Sequence, residues 1–306
     1  MKVKTVKGNW SLRTNKLGFP YVFLICIFFF LAGFFGSALF FHSQDDGHGM
    51  RPGPRLLEST KEETEYNLLL AGESGDDSIT SIPFQVLSWQ PRALYFPNFA
   101  TAEQCESIVD IAKAGLKPST LALRKGETEE NTKGIRTSSG VFISASEDKT
   151  GTLEVIEEKI ARATMIPRSH GEKKKASLIT SRPMAFNILR YEIGQRYNSH
   201  YDAFNPSEYG PQKSQRVASF LLYLTDVQEG GETMFPFENG SNMDGSYSYE
   251  SCIGLKVRPR QGDGLLFYSL FPNGTIDPTS LHGSCPVIKG EKWVATKWVR
   301  DQEQYD

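Results

Sequence analysis

The chain has 306 residues, with 34 Lys and Arg against 36 Asp and Glu and a formal charge of −2 at neutral pH. That length holds one sizeable domain with its own core plus an appendage. A near-neutral balance with no broad basic excess excludes a general nucleic-acid binder, which needs cations to neutralise phosphates.

The N-terminus is basic, with Lys2, Lys4, Lys7, Arg13 and Lys16 and no acid among them. Tyr21 to Phe41 follows without a charged residue and is rich in Phe, Leu and Ile. A run of about 20 apolar residues spans a bilayer as a helix. The basic flank before it and Asp45–Asp46 after it orient the span with its N-terminus in the cytosol. A cleaved signal peptide is the alternative, but the run is longer than a signal core and no clean small-x-small site follows. Residues 42–84 are polar and partly Gly/Ser-rich, which predicts a lumenal stem.

From Phe84 the texture changes. Val86 to Phe96 reads as extended. Thr101-Ala-Glu-Gln offers a capping box for a helix with Cys105, Ile108, Ala112 and Leu116 on one face. A second helix is predicted over Leu153–Ala163. Beyond it lie short strand-like runs at Arg216–Leu224, Leu255–Pro259, Leu265–Tyr268 and Trp293–Val299, punctuated by Gly, Pro, Asn and Asp. Helices first and short strands second suggest a sandwich or jelly roll. Of the four cysteines, Cys26 falls in the apolar run, and Cys105, Cys252 and Cys285 follow it. These three allow at most one internal disulfide in an oxidising lumen. Asn239-Gly-Ser and Asn273-Gly-Thr are sequons on the lumenal side, whereas Asn9-Trp-Ser is cytosolic.

The chemistry-bearing signal is His200-Tyr-Asp202. On a strand, residues two apart project from one face, so an imidazole and a carboxylate would converge. Of the five histidines, His42 and His48 lie in the stem and His170 in a Lys-rich stretch, leaving His282 as the third ligand. Two His and one carboxylate with open positions suit a non-haem iron(II) oxygenase. A zinc hydrolase uses the same donors. Lys292 weighs towards the oxygenase, because a lysine buried near a metal is costly unless a dicarboxylate cosubstrate supplies its partner. Otherwise Lys292 is a solvated charge in a turn.

Four ordered segments then resemble the core of the prolyl 4-hydroxylases, the plant type in particular: Asn187 to Phe204, Leu222 to Thr233, Gly262 to Tyr268, and Leu281 to Trp293. The resemblance runs from about Val86 to Arg300 and extends to the N-terminal anchor. It implies an α+β fold: a double-stranded β-helix (jelly roll) catalytic core with supporting N-terminal helices, preceded by a single transmembrane helix. The expected organisation is a cytosolic tail over 1–20, a signal anchor over 21–41, a stem over 42–84 and the dioxygenase domain over 85–306.

By resemblance, His200, Asp202 and His282 would bind Fe(II), and Lys292 would pair with the distal carboxylate of 2-oxoglutarate. Tyr191 and Thr233 would help hold that cosubstrate. Tyr197, Arg216 and Trp298 would line a peptide channel, although core packing is a competing role for Trp298. Cys252 and Cys285 match a bridged pair, and Cys105 stays a buried thiol. The implied reaction uses O2, with L-ascorbate keeping the iron reduced. It converts peptidyl proline to 4-hydroxyproline as 2-oxoglutarate becomes succinate and CO2. Proline-rich secretory polypeptides of the cell-wall type are the implied partners, and the endoplasmic reticulum membrane, or the Golgi, the implied location.

Three departures stand out. Residues 173–184 read as an inserted surface loop. Ser284 replaces the family's usual Gly beside a metal ligand. Arg300 replaces a common His near the expected channel mouth. A catalytically silent jelly-roll module and a dioxygenase for another substrate are the rival readings.

Overall fold

The computed structural model describes residues 24–31, 81–172 and 185–303. Residues 24–31 are helical. The rest of the Tyr21–Phe41 span, nearly all of the stem and the 173–184 segment lie outside the described residues. No helix among the described residues is long and apolar enough to cross a membrane. The chain divides into two compact units, Met1–Tyr66 and Asn67–Asp306. The second unit carries every named strand.

Strands β1 (Gln85–Trp89) and β2 (Arg92–Phe96) form an antiparallel hairpin where a single extended run was expected, because Pro91 lies in the turn between them. Helix α1 (Ala102–Lys113) follows. Thr101 Oγ1 accepts from the Gln104 N–H, and Gln104 Oε1 accepts from the Thr101 N–H, which completes the capping box. The helix ends at Lys113, so Leu116 lies beyond it. Short β3 (Lys117–Pro118) and β4 (Ser139–Ser144) lead to α2 (Thr152–Thr164). The order is thus hairpin, helices, sheet, which corrects the helices-first expectation.

The remaining elements are β5 (Ala185–Tyr191), β6 (Tyr197–His200), α3 (Pro206–Tyr209), β7 (Arg216–Tyr223), β8 (Glu229–Gly230), β9 (Thr233–Phe235), β10 (Leu255–Val257), β11 (Gly264–Tyr268), β12 (His282–Ser284), β13 (Val287–Lys289) and β14 (Lys292–Arg300). They build an eight-stranded sheet ordered β1-β2-β11-β7-β14-β5-β4-β3, a four-stranded sheet ordered β10-β9-β12-β6, and a β13-β8 pair. All named strand pairs are antiparallel. This is the α+β, jelly-roll-like core.

Period-two alternation assigns the two faces of the large sheet. Ile188, Phe220, Leu222, Trp293, Ala295 and Val299 share a buried cluster with Cys105, Ile108 and Ala112 of α1 and Leu153, Ile156 and Ile160 of α2. Leu189, Tyr191, Leu221, Tyr223, Leu265, Phe267 and Val294 point the other way, packing with Phe235 and Val257 of the small sheet. The helices therefore back the large sheet, and the site opens between the two sheets. Cys105 is fully buried, and that burial pushes its thiol up to about 11. It is inert as a nucleophile at neutral pH.

Candidate active site

His200 closes β6 and His282 opens β12, and the two are register partners. The Nδ1 of His200 lies 2.9 Å from the Asn198 carbonyl, and that of His282 lies 3.0 Å from the Ser280 carbonyl. A carbonyl can only accept, so Nδ1 carries the proton and each Nε2 presents its lone pair. Both Nε2 atoms lie 3.6 Å from the Asp202 carboxylate. One ligand atom from each of the three residues falls within 4.8 Å of the others. Burial, then the neighbouring His282, brings the His200 imidazole down to about 3, the neutral form that a metal takes as ligand.

Asp202 does not share a strand face with His200. β6 ends at His200, and Asp202 sits in the following loop. Donors from the large sheet hold it there: Ser219 Oγ at 2.5 Å and Trp298 Nε1 at 3.0 Å, both on Oδ2. Burial alone would raise this carboxyl, but the adjacent His282 and His200 rings, the Arg216 guanidinium and the Ser219 bond overcome it and hold it well below the usual range.

A second layer surrounds the cluster. Tyr197 stacks on the His200 ring at 3.6 Å, and the Arg136 guanidinium lies 4.8 Å from the Tyr197 ring. Arg216 forks onto Glu172 with bonds of 2.6 and 2.7 Å and lies 3.7 Å from the centre of the Trp298 ring. The residues expected on a peptide channel thus divide. Tyr197 is half-buried beside the ligands, while Arg216 and Trp298 are engaged with Glu172 and Asp202. Arg300 is buried, with Glu172 at 2.9 Å and the Ser214 carbonyl at 2.7 Å holding its guanidinium.

Also between the two sheets is Lys292, the first residue of β14, paired with Tyr191 across the sheet. It is only 1% exposed, so it is not a solvated turn residue. Its Nζ donates to Ser284 Oγ at 2.8 Å and lies 5.3 and 5.8 Å from the ring centres of Tyr191 and Tyr223. Among the described residues no carboxylate lies within ion-pairing distance of it. Burial brings its ammonium down to about 7, opposed by the charge of Glu232. Thr233 pairs with Ser284 between β9 and β12, and its Oγ1 accepts from the Tyr223 hydroxyl at 2.8 Å. A disulfide joins Cys252 to Cys285, with Cα atoms 5.4 Å apart, and anchors β12 just after Ser284.

Sequence reasoning assigned no role to Ser219, Tyr223 or Glu172. For the first two a signal existed. Ser219, Leu221 and Tyr223 alternate on one face of β7, the face opposite Phe220 and Leu222. Glu172 reaches Arg216 from 44 residues away, which no local pattern reveals.

Two imidazoles and a carboxylate fit a divalent iron. The buried, uncompensated Lys292 fits the far carboxylate of a 2-oxo diacid. A sequence profile of the 2OG-Fe(II) oxygenase superfamily matches residues 186–300. The Arabidopsis thaliana protein named probable prolyl 4-hydroxylase 9 is 66% identical over 295 residues, covering 96% of this chain and 97% of that protein. Prolyl 4-hydroxylase 13 of the same plant is 55% identical over 290 residues, covering 95% and 97%. Among solved structures, the viral collagen prolyl hydroxylase of Paramecium bursaria Chlorella virus-1 in its 2OG complex aligns with TM-score 0.45 and 22% identity, covering 68% of this chain and 95% of that one. The chain belongs to the 2OG-Fe(II) oxygenase superfamily and, within it, to the prolyl 4-hydroxylases.

Proposed function

We propose that the protein hydroxylates peptidyl proline at C4, using Fe(II), O2 and 2-oxoglutarate, with L-ascorbate as the reductant that keeps the iron active. The observation that carries this reading is the placement, between the same two sheets, of the His200–Asp202–His282 cluster and a buried Lys292 that has no carboxylate partner among the described residues. The names of the two plant relatives support proline as the target.

Bound iron and 2-oxoglutarate supply the oxidising power, decarboxylating the oxoacid to succinate and CO2 as one oxygen atom of O2 passes to the proline ring. The chain's own residues bind, orient and exclude water. His200, Asp202 and His282 would hold the metal. Lys292 would neutralise the distal carboxylate, with Tyr191 and Thr233 beside it. Ser219 and Trp298 hold Asp202 in one orientation, and Arg216, itself fixed by Glu172, braces Trp298. Tyr197, stacked on His200 and half-buried, is positioned to meet the substrate. An extended proline-rich chain is a fitting substrate, since polyproline II is already ordered and aromatic side chains bind it well. Cell-wall hydroxyproline-rich glycoproteins are the proposed class.

Tyr21–Phe41 is read as a signal anchor that leaves residues 85–306 in the lumen of the endoplasmic reticulum, or of the Golgi. The supports are the basic flank, a disulfide that calls for an oxidising compartment, and the exposure of Asn239 and Asn273, the proposed glycan sites.

Chelation followed by metal add-back tests the reaction class on the full-length protein. Fe(II) should restore succinate release from 2-oxoglutarate, and Zn(II) should not. Activity restored by Zn(II) alone would point to a hydrolase instead.

A further inference from the structure

The polar groups around Lys292 include more donors than acceptors. Lys292 carries three N–H donors, and among the described residues only Ser284 Oγ accepts from it, at 2.8 Å. Having accepted that bond, Ser284 still has its own hydroxyl proton to give, and no described residue takes it. Thr233 is in the same position: it accepts from Tyr223 at 2.8 Å, and its own proton has no described acceptor. Lys292, Ser284 and Thr233 are 1%, 8% and 2% exposed, so water does not freely satisfy them. Buried donors left over in this way are costly. They call for one group with several lone pairs, and a carboxylate offers about four.

Position explains why Ser284 joins this set. Ser284 follows the ligand His282 by two positions on β12, and its hydroxyl reaches Lys292 on the facing sheet. It lies directly opposite Thr233 on β9. The Cys252–Cys285 bridge and the Cys285 N–H bond to the Glu232 carbonyl, at 2.9 Å, fix the strand immediately after it. The hydroxyl is therefore held in place before any ligand arrives.

Resting on the oxygenase reading, we infer that Ser284 is a cosubstrate-binding residue: its hydroxyl donates to the distal carboxylate of 2-oxoglutarate alongside Lys292, while holding the Lys292 ammonium towards that carboxylate. The strand that supplies a metal ligand thereby also supplies a contact at the opposite end of the cosubstrate.

The test is anaerobic calorimetry on the full-length protein loaded with Mn(II), a redox-silent stand-in for iron. Two ligands are titrated: 2-oxoglutarate, and oxalate, which chelates the metal but has no distal carboxylate. Ser284→Ala should weaken 2-oxoglutarate roughly tenfold and leave oxalate within about twofold. Unchanged oxalate binding also shows that the variant is folded. Ser284→Thr, which keeps the hydroxyl, should retain most of the affinity. Equal 2-oxoglutarate affinity in wild type and Ser284→Ala overturns the inference alone. Equal losses for both ligands also overturn it, placing the effect on the metal end. A wild-type protein that binds Mn(II) but not 2-oxoglutarate overturns the oxygenase reading and this inference together.

Discussion

His200 and His282 face each other across β6 and β12, and each directs its Nδ1 to the backbone carbonyl two residues before it, Asn198 and Ser280. Backbone thus sets the orientation of both imidazoles, while side chains set that of Asp202. The carboxylate is therefore the ligand that substitution outside the triad can loosen. Trp298→Phe keeps the ring beside Arg216 but removes the indole donor. It should cut metal affinity by about 10- to 100-fold, read by calorimetric titration with Co(II). Unchanged affinity would mean that Ser219 alone orients Asp202.

Gly283 lies between His282 and Ser284, where two strands approach closely. A Cβ there would sit 2.9 Å from both the Tyr197 carbonyl oxygen and Met234 Cε, and 3.2 Å from the Ser199 nitrogen. The methionine can move, but the β6 backbone cannot move without carrying His200 with it. Gly283→Ala should cost about 1–3 kcal/mol of stability and weaken metal binding at the same time. Denaturant unfolding of the metal-free protein and a metal titration of the folded variant measure the two effects. A variant as stable as wild type with full metal affinity would show that the strands can part freely.

Much of this site was legible in the sequence because its donors are scarce residue types. With few histidines in the chain, His200, Asp202 and His282 stood out, and Lys292 acquired meaning from the dicarboxylate it could pair. The four ordered motifs carried Tyr191 and Thr233, the family resemblance carried the Cys252–Cys285 pair, and the Thr101 capping box located α1. What stayed hidden depends on contacts distant in sequence. Strand parity placed Asp202 on β6, whereas the strand stops at His200 because Ser219 and Trp298, the latter 96 residues away, hold the carboxylate elsewhere. Nothing local announces that Glu172 and the Ser214 carbonyl hold Arg300. The β1–β2 hairpin was missed because its turn at Pro91 interrupts an otherwise uniform extended run.

Lys292 makes stability depend on pH. Burial lowers its ammonium from the ordinary 10.5 to about 7 in the folded state. Between those values the unfolded chain binds more protons than the folded one, so stability rises with pH across this window. The contribution is fully present above 10.5 and is lost as pH falls through 7. Metal-free and cosubstrate-free protein should therefore gain Tm between pH 7 and pH 9 relative to Lys292→Met, which has no group to titrate there. Equal pH dependence in the two proteins would show that Lys292 keeps its proton when buried.

Lys297 faces the helices, on the opposite side of β14 from Lys292. It pairs with Glu157 of α2, and both residues are 4% exposed. Arg168 also reaches Glu157, at 3.0 Å. Removing Lys297 leaves the buried Glu157 with only the partly exposed Arg168 as partner, so Lys297→Met should cost about 3 kcal/mol or less. Adding Glu157→Leu should recover most of that loss. Urea unfolding of the single and double variants gives the comparison, and additive losses would show that the pair does not act as a unit.

The most direct test of proline hydroxylation is mass spectrometry of a poly-proline peptide incubated with the full-length protein, Fe(II), 2-oxoglutarate, O2 and ascorbate. The expected result is one added oxygen atom per modified proline, at C4, matched by succinate release and abolished in His282→Ala. An unmodified peptide, from protein that binds iron and 2-oxoglutarate and releases succinate, would contradict proline as the target.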